Sequence, residues 1–228
     1  MRAPSFVLPA ILLHLITVPA RAQWTTQSSG TTVELRGLSV VSPSVAWASG
    51  QKGTVLRTTN GGGTWTAATV AGAETLDLRA IAAISARTAF AMSIGDSSRI
   101  YRTTDGGHTW SLRFVSTRKG SFLDAIRFWD ARRGIAVSDP VDGKFLVVTT
   151  SDGGDTWQET AADGMPPALP GEGAFAASGS CLTVQGHGHA WFVTGGAAVA
   201  RVFHTTDYGR HWLAADSPLR AGVASAGI

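Results

Sequence analysis

Only a few side chains in this 228-residue chain have the type and spacing to do chemistry. Asp96, Asp124, Asp139, Asp142 and Glu172 are carboxylates that could serve as acid and base in glycoside hydrolysis, but no spacing singles out a pair. In "GHGHAW", His187 and His189 stand two apart, on one side of an extended strand, where they could ligate a metal. No third ligand is identifiable, and no nucleophilic serine, reactive thiol or nucleotide-binding motif is present. The single cysteine, Cys181, lies in an apolar stretch and reads as a small core residue. Arg36 and Arg79 are more suggestive. They occupy the same place in successive units of a repeat, where two guanidinium groups could hold a partner's carboxylate. Asp124 and Ser180 take that place in the next two units. These features predict no catalytic residues, no metal and no cofactor, with Arg36, Arg79, Asp124 and Glu172 as the candidate binding residues.

The repeat that positions them is marked by a phrase returning four times: "TTNGGGTW" (Thr58–Trp65), "TTDGGHTW" (Thr103–Trp110), "TSDGGDTW" (Thr150–Trp157) and "TTDYGRHW" (Thr205–Trp212). Its third residues, Asn60, Asp105, Asp152 and Asp207, are separated by 45, 47 and 55 positions. An Asx side chain there can accept hydrogen bonds from the amides that follow it, and glycine permits positive φ. The tryptophans that end each phrase, Trp65, Trp110, Trp157 and Trp212, are large apolar anchors suited to sit between neighbouring units. The phrase is therefore a structural turn, not a repeated active site. His211 replaces the threonine of the other copies, so the fourth turn is expected to be looser.

Around each phrase the chain reads as four short antiparallel strands. The second unit runs "LRAIAAI", "AFAMS", "RIYRTT", then "TWSLRFV"; the third runs "AIRFW", "GIAVS", "KFLVVTT", then "TWQET". Four strands per period of ~40–50 residues are the mark of a β-propeller blade. The fold class expected is all-β, with about four blades at 35–70, 78–116, 122–161 and 180–216 inside a propeller domain of residues 23–228. Gln23-Trp24 resembles a lone fourth strand, so the chain is expected to be truncated from a six- or seven-bladed ring, and to self-associate if so.

The pattern Ser/Thr-x-Asp-x-Gly-x-Thr-Trp resembles the Asp box, or BNR repeat, of sialidases and many other propellers. "FWDARRGIAV" (Phe128–Val137), "PGEGAFAASGSCL" (Pro170–Leu182) and "TTDYGRHW" resemble one subgroup, the photosystem II assembly and stability factor-like propellers. That resemblance implies an exported protein that binds other proteins during assembly rather than an enzyme. A sialidase would need an arginine cluster, a tyrosine nucleophile and an "Arg-Ile-Pro"-type motif. The motif is missing, and Tyr101 and Tyr208 fall beside or within Asp-box turns. The alternative of a carbohydrate-active propeller rests on the wider resemblance alone.

In an up-and-down blade, connections alternate between two ends. The Asp-box turns share one end with the first turns of each blade. The crossovers share the other, which surrounds the funnel. The longest insertion, Ala161–Gly179, is a crossover, rich in Pro and Gly, and so a shaped loop of the funnel end.

Residues 1–22 have the anatomy of a signal peptide: Arg2, the apolar run Phe6–Val18 and the small-x-small site Ala20-Arg21-Ala22. The run is too short for a transmembrane segment. Removing it takes two arginines and no acid, lowering the formal charge from +3 to 3 − 2 = +1. No basic run remains to bind nucleic acid. The expected location is exported, periplasmic or extracellular, or lumenal in a thylakoid setting. The expected partner is a protein, such as a membrane-complex subunit.

Overall fold

The computed structural model describes residues 25–95, 97–176, 179–219 and 221–222. The expected signal peptide, the Trp24 strand and Asp96 lie outside them. Four four-stranded antiparallel sheets follow one another along the chain, each with its strands in sequence order. Blade 1 holds β1 (Leu35–Val40), β2 (Ala46–Gly50), β3 (Thr54–Thr58) and β4 (Thr66–Thr69). Blade 2 holds β5 (Ala80–Ala83), β6 (Ala89–Met92), β7 (Arg99–Thr103) and β8 (Ser111–Val115). Blade 3 holds β9 (Leu123–Phe128), β10 (Gly134–Val141), β11 (Lys144–Thr150) and β12 (Gln158–Glu159). Blade 4 holds β13 (Leu182–Gln185), β14 (His189–Val193), β15 (Arg201–Thr205) and β16 (Leu213–Asp216). Apart from a 3-10 turn at Ala162–Gly164, no helix occurs among the described residues. None is therefore long and apolar enough to cross a membrane.

Alternation along the strands makes the blades stack. In β14, Ala190 and Phe192 are buried in the layer shared with blade 3, while His189 and Trp191 between them are half-buried. Three apolar layers join the four sheets. Trp47, Val55, Ile81 and Tyr101 fill the first; Phe90, Ile126, Val148 and Trp157 the second; Ile135, Phe145, Phe192, Phe203 and Trp212 the third. The inner strands β1, β5, β9 and β13 adjoin in succession. At Gly37 the approach is so close that a Cβ would meet Ser49 Oγ at 2.3 Å and the Ile81 amide nitrogen of blade 2 at 3.0 Å.

The Asp-box tryptophans sit at these junctions. Trp110 meets Trp47 edge-on at 6.2 Å, and Trp157 meets Phe90 at 6.3 Å, each reaching into the preceding blade. Such aromatic pairs add about 0.5–1.5 kcal/mol beyond the area they bury. Trp65 is half-exposed instead, and its indole N–H donates to Gln27 at 3.0 Å.

Candidate functional site

Each repeated turn is built by the same local bonds. In the second, the Thr103 hydroxyl donates to Asp105 Oδ1 at 2.8 Å and accepts from the Gly107 amide at 3.0 Å. The Thr109 hydroxyl and amide both donate to the Asp105 carboxylate, at 2.6 and 3.0 Å. These bonds, the Thr109 hydroxyl first, hold Asp105 well below the usual carboxylate range; Thr156 does the same for Asp152. Asn60 makes the equivalent contacts with Thr58 and Thr64. The fourth turn is not looser. His211 replaces both threonine donors, its amide reaching Asp207 Oδ1 at 2.9 Å and its Nδ1 lying 2.7 Å from Oδ2. Partial burial pushes Asp207 up, but the His211 bonds outweigh it and hold the carboxyl at about 2.

At the funnel end the four candidates do not form one rim. Arg36 sits at a β-bulge in β1, its Nη2 donating to Glu34 at 3.1 Å. Arg79 precedes β5, its Nε donating to Asp77 at 3.0 Å. Both arginine side chains remain partly open to solvent, at 34% and 27%. Each pairs with the acid two positions before it, not with Asp124 or Glu172.

Asp124 and Glu172, read from sequence as rim residues, are buried. Asp124 lies on β9 among the inner strands with 0% exposure, and among the described residues its carboxyl makes no well-formed hydrogen bond, although the backbone of Asp139 and Ala176 comes near it. Burial, and then the neighbouring Asp139, push its pKa up to about 9. Asp139, itself raised by burial, accepts the Ala174 amide at 2.9 Å and so ties the insertion over this point. Glu172 has a side chain with no exposure, held by Arg201, whose Nε donates at 2.9 Å, and by the Thr194 hydroxyl. Burial would raise its pKa, but Arg201 and Thr194 keep it below the usual range. Sequence reasoning missed Arg201 because it lies 29 positions away on β15.

The other candidates resolve as structure. Asp142 and Gly143 have φ of 52° and 77°, the pair of left-handed residues that a tight β10–β11 hairpin requires. His187 lies in the turn before β14, and His189 on β14 has its Nδ1 3.2 Å from Nε2 of His204 on β15, stacked beside Trp191. Among the described residues no group of three or more His, Cys, Asp or Glu could hold a metal. Cys181 is buried just before β13, and burial, with Asp124 beside it, pushes its thiol up to about 12, which disfavours the reactive thiolate. Tyr101 is a core residue whose hydroxyl donates to the Gly72 carbonyl.

Two clefts are relevant to binding. On the funnel end, the insertion lines an open groove of about 600 Å³ with Pro140, Leu169, Pro170 and Phe175. On the Asp-box end, a cleft of about 610 Å³ opens between blades 3 and 4, walled by Trp129, Arg133, Tyr208, Arg210 and His211.

Residues 16–119, a little under half of the chain, match the sequence family described as photosynthesis system II assembly factor YCF48. The chain is a BNR-repeat propeller that resembles that family. Among solved structures, YCF48 from Cyanidioschyzon merolae aligns at 17% identity over 87% of this chain and 62% of its own, with a TM-score of 0.59. YCF48 bound to D1 peptide aligns at 15% identity over 80% of this chain and 68% of its own, with a TM-score of 0.51. The GH74 enzyme of Niastella koreensis aligns at 20% identity over 78% of this chain but 24% of its own, with a TM-score of 0.55. At these identities the likenesses establish the fold. A search of curated proteins finds no match.

Proposed function

We propose that this chain is a non-catalytic, exported propeller that binds a protein partner at its funnel end and acts in assembly of a membrane complex. The observation that carries the reading is the match to the assembly-factor family, supported by a similar propeller solved with a peptide bound. The local chemistry suits such a role. Arg36 and Arg79 hold their own acids through single, partly solvated contacts, which contribute only about 0–1 kcal/mol each. An incoming carboxylate can displace Glu34 or Asp77 and gain a two-pronged contact. The apolar groove beside the insertion offers a place for the rest of an extended segment. Export is proposed from the anatomy of residues 1–22, and amino-terminal sequencing of the protein recovered outside the cytoplasm tests it.

A glycosidase reading is not favoured. Asp124 and Asp139 are neighbouring acids with raised pKa, but Asp124 has 0% exposure, and a general acid must reach its substrate.

The deciding experiment is crosslinking capture from the exported fraction with the wild type and with the Arg36→Glu/Arg79→Glu double variant. The variant is expected to recover at least tenfold less partner at low salt, with its melting temperature nearly unchanged, because charge reversal acts first on association. Equal recovery would remove these arginines from the binding site.

A further inference from the structure

The fourth Asp-box turn departs from the repeat in ways that converge on one place. Its fourth position is glycine in the other three turns, with φ of 69°, 83° and 79° at Gly61, Gly106 and Gly153; here Tyr208 adopts 63°. A bulky L-residue in the left-handed region is strained, and such strain persists where the surroundings hold it for a purpose. The surroundings do hold it. The Tyr208 ring meets Trp129 edge-on at 5.1 Å, and the Arg133 guanidinium lies 4.8 Å from its centroid. The sixth and seventh positions carry Arg210 and His211. The substituted Tyr208 and His211 and the Arg210 between them, with Trp129 and Arg133 from the β9–β10 turn, line the same 610 Å³ cleft. The cleft exists because the outer strand of blade 3 is cut short. β12 pairs with β11 at only two positions before the chain leaves into the insertion.

We propose that this cleft is a saccharide-binding site, with Trp129 and Tyr208 as its aromatic wall and Arg210 and His211 as polar recognition groups. Its volume falls within the ~300–1,000 Å³ of small-ligand clefts. The lining carries both signs, Arg133, Arg210 and His211 with Glu159 and Asp163, and several are already paired: Arg133 with Asp130, Glu159 with Arg118 and His211 with Asp207. A strongly charged ligand gains nothing from such a mixture. A polyhydroxylated one does, because its hydroxyls both donate and accept, and the cleft offers guanidinium, carboxylate and the hydroxyls of Thr149 and Ser151. Its apolar ring faces fit half-buried indole and phenol. Arg210 has no carboxylate within 4 Å among the described residues, so its donors are open to a ligand. The site opens on the end of the propeller opposite the funnel and does not depend on the partner proposed there.

Native gel electrophoresis through hydroxyethyl cellulose, glycol chitin and dextran, each against a plain gel, tests the assignment. Wild type is expected to be retarded in at least one of them. Tyr208→Gly, which installs the residue found in the other three turns, should weaken that binding at least fivefold while circular dichroism shows an intact fold. Arg210→Ala, on an exposed side chain, should do the same and decides the matter if Tyr208→Gly fails to fold. The Arg36→Glu/Arg79→Glu variant should be retarded like wild type, which separates this site from the funnel. Absence of retardation in all three gels, or wild-type retardation of the folded variants, overturns the proposal. So would an acidic peptide that binds in place of the polysaccharides and is lost in both variants.

Discussion

Carboxylates of one kind have three fates here, set by what each touches. Asp152 accepts from the Thr150 hydroxyl and from the amide and hydroxyl of Thr156. Asp152→Ala orphans those donors and is expected to lower the melting temperature by about 3–8 °C. Asp152→Asn should cost much less, since Asn60 already performs the same task. Because the folded pKa of Asp207 is depressed to about 2, the stability it contributes is present above the unfolded value near 3.8 and is lost as pH falls through about 2. Acid titration of the Asp207→Asn variant should show a shallower loss over that window. Asp124 has the opposite sign. Its pKa is raised to about 9, so the unfolded chain ionises first and stability declines from about pH 4 until the folded group ionises near 9. Asp124→Asn is therefore expected to raise the melting temperature at pH 8 and leave it nearly unchanged at pH 4. An equal shift at both values would show that the carboxyl is not held neutral. Glu172 is buried and ionised, and Glu172→Ala leaves the Arg201 charge uncompensated, at a cost of about 3–5 kcal/mol in denaturant unfolding.

Strands and turns follow from short-range pattern, and their contacts decide how much variation each tolerates. The junction of β1 with β5 is the tightest test. Gly37→Ala places a methyl against Ser49 Oγ and against blade 2 backbone that cannot rotate away. It is expected to destabilise by about 1–3 kcal/mol, read from the denaturant midpoint. A second change, Ser49→Gly, should restore only part of the loss, because the clash with Ile81 and Ala80 remains. The short β12 works the other way. By ending after two residues it releases the insertion toward the funnel and leaves open the cleft on the opposite end.

Across the row of blades, the middle sheets bury both faces on neighbours, and among the described residues the first and last sheets each have one face without a neighbouring sheet. Leu38 and Val40 on blade 1 are 65% and 67% exposed, and Leu213 on blade 4 is 76% exposed. Apolar side chains gathered on the face of a sheet favour association. The 228-residue chain is expected to elute at an apparent mass that grows with concentration. Leu38→Asp and Leu213→Asp should shift it toward monomer. A single monomeric mass across a hundredfold dilution would show that these faces do not associate.

The turns, the four-strand period and the all-β class were legible in the amino-acid order because their causes are local. The bonds from Asp105 reach residues at most four positions away, so eight residues contain the whole device. Burial of a given acid is not local. Whether Asp124 is a rim charge or a neutral interior group depends on Asp139 and on the insertion folding over it. Glu172, in the insertion, finds its partner Arg201 on the third strand of blade 4, and His189 finds His204 on the same strand. The cleft had a visible trace, since Tyr208 and His211 interrupt a pattern kept in the other three turns. Its wall could not be read in advance. Trp129 and Arg133 come from the preceding blade, and only the stacking of sheets brings an indole 5.1 Å from a tyrosine 79 positions on. Hydrogen-bonded turns are written within a few residues, whereas exposure, charge pairing and cavities arise when sheets distant in the chain close against one another.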